Sequence, residues 1–361
     1  MKRIIINILS LSLCALMLLS MCSCAVLDKL KGNIEEKPED ETTKEQDNVV
    51  VPTVKYPRNN MKYTFLTVVE GFEEGAPAQI SYAVFDTKAN TLSSMQIPVN
   101  TFINGANKTL GDDFKARYTS KSSEGRDVAV KYAVESLMAK LKDDLMLVCD
   151  YYIYFDKTSM SDLANNLEGV EVQVPFEMRF TDGTLIRSGK TELKNDQLWK
   201  VMSYGSYAFG SELNAAKMLF ASTFYRMREA VTPELISLFI MNVRSNLYTN
   251  IPKTNGVDVF FFRKLISLDV ESYKFSSADT QYVVEGNSQI AVICKDALLK
   301  KINSFLAIYE NEIEIADFDQ GLAFCDTSSM IISGAYNSIA AISTEYTASE
   351  AKNGGVYIFS K

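Results

Sequence analysis

Two hydrophobic periods alternate along the chain after residue 60. Short runs of β-branched and aromatic residues predict strands, and Val170–Val174 has the strict alternation of a half-buried strand. The predicted strands are residues 62–69, 80–85, 91–97, 151–155, 170–174, 281–284 and 355–359.

Apolar residues between these strands recur at helical spacing. Residues 126–142 carry them three and four positions apart, which predicts a helix packed on a sheet. Other predicted helices are residues 159–167, begun by a capping Ser159, and 196–202, 211–228, 233–247, 256–268, 295–306 and 328–342. Interleaved strands and helices of this kind predict an α/β protein, with a layered α-β-α fold and a central mixed sheet.

The amino terminus has the pattern of an export signal. Lys2 and Arg3 precede an apolar run that extends to Leu19, in the proportions of a secretory signal segment. Leu19-Ser-Met-Cys-Ser-Cys24 resembles the lipobox of bacterial lipoproteins, and Cys24, which follows a small serine, is the expected lipidation site. The alternative is an uncleaved anchor helix. Both interpretations of residues 1–24 place the rest of the chain outside the cell, tethered to its membrane.

The next segment changes composition. Residues 25–60 are rich in Glu, Lys, Asp and Thr, and a stretch of this kind has too few apolar residues to form a core. We expect a disordered tether there, a folded body at 61–306, and a carboxyl-terminal extension at 307–361 that packs on the body.

Composition excludes several kinds of chemistry. The chain contains no histidine, which removes Ser-His and Cys-His nucleophile pairs and every histidine-bearing metal site. The net charge of -8 argues against a nucleic-acid partner, because a phosphate-binding surface must be basic. Half of the six cysteines lie in the leader; the other three, Cys149, Cys294 and Cys325, are expected to be buried free thiols.

The order of several segments resembles the LytR-CpsA-Psr family. Leu167-Glu-Gly-Val-Glu-Val-Gln-Val-Pro175 is similar to the family's L-G-G-V-E-V-x-V-P, and Ala133-Val-Glu135 is similar to its T-V-E helix. Leu92–Thr101 resembles the region of its S-I-P-R-D-T motif, and Val243–Leu247 its V-x-T-N-L motif. The resemblance implies an extracytoplasmic α/β domain that moves wall glycopolymers from a polyprenyl-pyrophosphate carrier to peptidoglycan, with arginines on the pyrophosphate and acids on a divalent ion.

The charged positions of those motifs are replaced in this chain. Other residues stand where the resemblance implies most of the arginines and acids that line the carrier cleft, and only Glu212 keeps its acid. These cleft positions are Gln79, Val99, Asn100, Ser203, Gly205, Glu212 and Ala215, and the nearby cations that could substitute are Lys115, Arg117 and Lys217. Charged hydrogen bonds contribute roughly 1.5–3 kcal/mol each, so several losses weaken phosphate binding by at least about 5 kcal/mol.

Three functions follow from these observations. The first is a non-catalytic relative with a binding or scaffolding role in cell-wall assembly, whose ligand is a wall glycan or a prenyl lipid; it needs no metal and no cofactor. The second is an active glycopolymer phosphotransferase that uses the relocated cations and Mg²⁺. The third is a solute-binding lipoprotein, which would require two similar lobes and a hinge.

Overall fold

A computed structural model describes the body of the chain. The described residues are 55–103, 109–174, 176–204, 212–232, 234–252, 257–268, 272–278, 280–285, 288–314, 316, 324–325, 337–338 and 357–359. No helix among them is long and apolar enough to cross a membrane.

The described strands form one large sheet and three small ones. The strands are β1 Lys62–Glu70, β2 Pro77–Asp86, β3 Thr91–Ile97, β4 Tyr151–Phe155, β5 Val170–Val174, β6 Met178–Phe180, β7 Leu185–Ile186, β8 Gly189–Leu193, β9 Tyr248–Thr249, β10 Tyr273–Ser277, β11 Thr280–Glu285, β12 Ser288–Cys294, β13 Phe324–Cys325, β14 Asn337–Ser338 and β15 Tyr357–Phe359. The large sheet has the order β14-β10-β3-β2-β1-β4-β9. It is mixed as predicted, because β1 pairs in parallel with β4 and β3 with β10, whereas β2 runs antiparallel to both of its neighbours.

Helices cover both faces of this sheet. They are α1 Leu110–Lys121, α2 Arg126–Leu145, α3 Lys157–Asn166, α4 Gln197–Ser203, α5 Glu212–Ala230, α6 Ile236–Arg244, α7 Val257–Ser267 and α8 Lys295–Lys300, which continues as a π-helical turn over Lys301–Leu306. One core packs α1, α2 and α8 on the face that carries Leu66, Ile80 and Met95. The other packs α3 to α7 on the opposite face, which confirms the predicted α-β-α layers.

Two predicted helical features are wrong. Residues 328–342 were expected to be helical; only Asn337–Ser338 of this range lie within the described residues, and they form the edge strand β14, paired with Lys274 and Phe275. Backbone pairing with β10 outweighs local helical spacing at this sheet edge. The cap of α3 is Asp156 rather than Ser159: the Asp156 side chain accepts from Ser159 N, and the Ser159 hydroxyl accepts from Asp156 N in return.

The residues just before position 61 pack on the body. The Arg58 guanidinium binds the Asp150 carboxylate, with 2.8 Å from Nη2 to Oδ2, and the Asn59 amide donates to the carbonyl of Ile308 at 3.0 Å. The Tyr56 ring meets the Tyr309 ring edge-on at 6.1 Å. These residues were assigned to the tether by composition, and their contacts extend the ordered body back to about Lys55.

Candidate functional site

The carboxyl ends of the parallel strands meet at one edge of the large sheet. Strand β1 ends at Glu70, and Asp156 follows its parallel neighbour β4 directly. Strand β2 begins at the same edge, because it runs antiparallel to β1 and places Gln79 opposite Val69. Loops at such an edge commonly build ligand sites in α/β proteins.

One arginine joins the acids at this edge. Arg126, the first residue of α2, donates from Nη2 to Glu70 at 2.7 Å and to Asp156 at 3.3 Å, and from Nη1 to Glu74 at 2.8 Å. The guanidinium also lies 5.9 Å from the centre of the Tyr248 ring. Burial lowers the pKa of Arg126, but the charge and hydrogen bond of Glu70 outweigh it and leave this pKa above its ordinary value.

The loop after β1 fixes Glu70 in place. The buried Glu70 carboxylate also accepts from the Gly75 amide at 2.8 Å, and the Glu70 carbonyl accepts from Trp199 Nε1 at 2.8 Å. Gly75 has φ +73°, and a Cβ there would come within 2.2 Å of the Tyr118 ring, so a side chain at this position would displace Tyr118. The Tyr118 hydroxyl donates to Glu74 at 2.7 Å, which ties the same loop to α1.

A buried lysine supports the opposite wall. Lys200 of α4 has a side chain that is 3% exposed, and its Nζ donates to Asp182 and to the Thr184 hydroxyl, both at 2.5 Å. The same Nζ lies 3.1 Å from Asp196. The pKa of Asp182 is lowered, chiefly by the hydrogen bond from Lys200. These contacts join α4 to the turn between β6 and β7.

Aromatic rings pack together beside that wall. Phe72, from the loop after β1, lies 4.6 Å from the Trp199 ring, 4.5 Å from Tyr204 and 6.2 Å from Phe180, measured between ring centres. This cluster connects the sheet edge to α4 and to β6. It gives the site an apolar side next to its charged one.

These features enclose a cleft of about 730 Å³. Its charged lining consists of five carboxylates and three cations: Glu70, Glu74, Asp127, Asp156, Asp182, Arg126, Lys157 and Lys200. Each of the three cations is bound to at least one carboxylate; for Lys157 the partner is Asp196, at 3.0 Å. The cleft therefore has an acidic excess, and its cations are already neutralised by the protein.

Three of the positions predicted from the family motifs, Gln79, Val99 and Asn100, lie at or near this sheet edge but outside the cleft. Gln79 is buried, and its Nε2 has no hydrogen-bond partner among the described residues. Val99 and Asn100 follow β3; their carbonyls accept from the Gly111 amide at 2.7 Å and the Ala291 amide at 2.9 Å. None of these predicted residues lines the 730 Å³ cleft.

The remaining predicted positions are described only in part. Ser203 is the last residue of α4, and its shielded Oγ has no hydrogen-bond partner within the described chain. Gly205 lies outside the described residues, and so do the side chains of Glu212, Ala215 and Lys217.

Two of the predicted substitute cations bind acids of their own. Lys115 is ion-paired with Glu73, and Arg117 is 3.6 Å from Asp113 on the preceding turn of α1. Neither Lys115 nor Arg117 lines the cleft.

Sequence reasoning missed the residues that do build the cleft. Glu70 ends the first strand and Asp156 follows Phe155 at the end of another, so an acid at each strand end was a usable signal. The missing information was that β1 and β4 are parallel neighbours. For Arg126, the signal was its position at the start of a predicted helix. For Lys200 there was no signal beyond its position four residues after Asp196.

The described residues define a protein of the layered LytR-CpsA-Psr-like fold. No family profile and no curated protein sequence matches the chain. Among solved structures it is similar to a protein from Streptococcus agalactiae, gbs0355, with a TM-score of 0.55 and 12% identity over 73% of this chain and 92% of the other. TagV of Bacillus subtilis gives a TM-score of 0.52 and 16% identity over 69% and 99%. A putative transcription regulator from Eubacterium siraeum gives 0.50 and 15% over 75% and 99%. At these identities the similarity is one of fold.

Proposed function

We propose that this chain is a lipid-anchored, extracytoplasmic relative of the LytR-CpsA-Psr proteins that binds a component of the cell wall and does not transfer glycopolymer. The LytR-CpsA-Psr-like fold supports the family relationship. The leader with Cys24 and the charged tether support an anchored position outside the membrane. A binding or scaffolding role in wall assembly follows from the chemistry of the sheet edge.

The observation that carries this proposal is the state of Arg126. A protein holds pyrophosphate with cations that are free to bind its oxygens, often through two hydrogen bonds of one arginine. Arg126 instead binds Glu70, Glu74 and Asp156. A phosphate group that bound Arg126 would have to displace at least one of these carboxylates. It would then lie close to the negative charge of the others.

Among the described residues, the motif positions and the cations near them supply no replacement charge to the cleft. Gln79, Val99 and Asn100 are uncharged, and Lys115 and Arg117 each bind an acid outside the cleft. The loss of several charge-assisted hydrogen bonds corresponds to about 5 kcal/mol, or several thousandfold in affinity for a pyrophosphate. A solute-binding lipoprotein is less favoured, because the described body is built on one central sheet rather than two similar lobes.

The test is binding and turnover of a polyprenyl pyrophosphate. Full-length protein in detergent should show no magnesium-dependent hydrolysis or transfer, and its affinity should match that for the corresponding prenyl alcohol. A variant that combines Gln79→Asp, Val99→Arg, Asn100→Asp, Ser203→Arg and Ala215→Arg should bind the pyrophosphate more tightly than the alcohol.

Tight binding of the pyrophosphate by the unmodified protein would contradict the proposal. Micromolar binding of the pyrophosphate by the unmodified protein, lost on Lys115→Ala or Lys217→Ala, would overturn the non-catalytic proposal and favour the alternative with relocated cations. A matched control is Lys88→Ala, which removes an exposed lysine from the turn after β2.

A further inference from the structure

We propose that the 730 Å³ cleft binds a glycan that carries free amines, such as a chain of unacetylated amino sugars. This inference rests on the proposed binding function and names the ligand of that site. It follows from two properties of the lining: an excess of carboxylates and apolar ring surfaces beside them.

The acidic excess selects for positive charge. Asp127, in the first turn of α2, is exposed and has no ion-pair partner among the described residues. Glu74 is bound to Arg126 but remains 69% exposed on its outer side. Both carboxylates line the cleft, so a ligand ammonium group can bind them without breaking any internal ion pair, whereas an anion would be repelled.

The ring surfaces suit the apolar face of a sugar. Phe72, Phe180, Trp199 and Tyr248 line the same cleft as the carboxylates. A pyranose presents C–H groups on one face and hydroxyl donors around its edge, and binding pockets combine apolar walls with a few placed polar groups in this way. A cleft in which acceptors outnumber unpaired donors complements a ligand rich in hydroxyl and ammonium donors.

A buried tyrosine of β4 packs behind the cleft lining. Tyr154 is 0% exposed. It lies near Glu70, whose charge adds to burial in raising the pKa of this phenol, and its ring packs edge-on against Tyr248 at 5.8 Å. The Tyr154 ring therefore supports Tyr248, which lines the cleft.

The experiment is calorimetric titration of the full-length protein in detergent with two hexasaccharides, one of glucosamine and one of N-acetylglucosamine. We expect the glucosamine chain to bind more tightly at mildly acidic pH, where its amines are charged. Added salt should weaken this binding, because the contacts are partly exposed. Asp127→Asn should weaken it about three- to fivefold, as for the loss of an exposed ion pair.

The matched control is Glu135→Gln, which removes an exposed carboxylate from the same helix outside the cleft. Within the described part of the chain, Glu135 is ion-paired with Lys131 at 3.9 Å. This variant should bind as the parent does. Equal binding of both hexasaccharides, or no effect of Asp127→Asn, would overturn the inference. Equally tight binding of spermidine or an oligolysine peptide would overturn its glycan part.

These outcomes are distinct from failure of the proposed function. If neither hexasaccharide binds and polyprenyl pyrophosphate is not turned over, the amino-glycan inference fails alone. If the pyrophosphate is turned over, the non-catalytic function fails whichever sugar binds.

Discussion

Glu70 and Asp156, at the carboxyl ends of two neighbouring parallel strands, accept hydrogen bonds from the same nitrogen of Arg126, at 2.7 and 3.3 Å. The Glu70 side chain is 6% exposed and that of Asp156 is 10% exposed, so neither carboxylate is well hydrated. The guanidinium is therefore part of the architecture of the sheet edge. A ligand that bound this guanidinium would have to replace its hydrogen bonds to Glu70 and Asp156.

Replacing this arginine should cost stability. Arg126→Gln leaves Glu70 without its compensating charge, and we expect a loss of about 2–3 kcal/mol in the free energy of unfolding. Arg117→Gln, which breaks an exposed pair on α1, should cost less than about 0.5 kcal/mol. Urea unfolding followed by circular dichroism measures both. Glu70→Gln added to Arg126→Gln should recover part of the loss; a further additive loss would show that the buried charge is not the cause.

Tyr118 should titrate far above an ordinary phenol. Burial and the hydrogen bond that it donates to Glu74 raise its pKa to about 12. The raised value means that the folded state favours the neutral phenol. The stability that the neutral Tyr118 phenol contributes is therefore fully present below about pH 10, the pKa of an unfolded tyrosine. It is lost as the pH rises from there towards 12.

Ultraviolet difference titration can detect this group. Tyr118→Phe should remove one phenolate transition near pH 12 in the folded protein, and should leave the transitions at lower pH unchanged. In urea, both proteins should show only ordinary tyrosine titration near about pH 10. Loss of a transition near pH 10 in the folded variant would contradict the assigned environment of Tyr118.

The cleft wall depends on a lysine that the sequence did not single out. Lys200→Met removes the bonds from α4 to Asp182 and to the Thr184 hydroxyl, and should lower the melting temperature by about 3–6 °C. Lys194→Met is the control, because that lysine is half exposed and pairs only with Glu192 among the described residues. Equal melting temperatures for the two variants would show that the buried bonds of Lys200 add nothing.

The contrast between Lys200 and the sheet core shows what sequence reasoning can reach. Runs of β-branched and aromatic residues in β1 to β4, the alternation of β5 and the helical spacing in α2 were sufficient to predict the layers, because packing on a sheet imposes these patterns. The partners of Arg126 were not predictable, since they depend on the parallel pairing of β1 with β4. Strands β7 and β9 have two residues each and are too short to show a hydrophobic period in the sequence. The resemblance assigned the motif positions to a carrier cleft, whereas the acids that line the 730 Å³ cleft could be found only from the strand register.

The lipid anchor is a prediction from residues 1–24. Cys24→Ala should release the protein into the medium or leave its precursor uncleaved, because no thiol would remain at the lipidation position. Cys22→Ala should be processed and retained like the parent, since Cys24 is the expected acceptor. Cell fractionation and mass spectrometry of the amino terminus distinguish these results. Normal processing and retention of the Cys24 variant would exclude this lipidation site.

The tether and the ordered body should separate on limited proteolysis. A protease of broad specificity should cut first between residues 28 and 54, where composition predicts an unfolded segment. The stable product should begin near Lys55 rather than Met61, because Arg58 binds Asp150 and the Asn59 amide binds the carbonyl of Ile308.

Arg58 provides the decisive variant for this boundary. Arg58→Gln should loosen the first ordered residues and move the start of the stable product towards Lys62, whose Nζ donates to the Leu306 carbonyl at 3.2 Å. Lys88→Gln, an exposed change in the turn after β2, should leave the boundary at Lys55. Amino-terminal sequencing reads the start of each product directly. A product that begins at Met61 in the parent would show that the contacts of Arg58 do not hold this segment on the body.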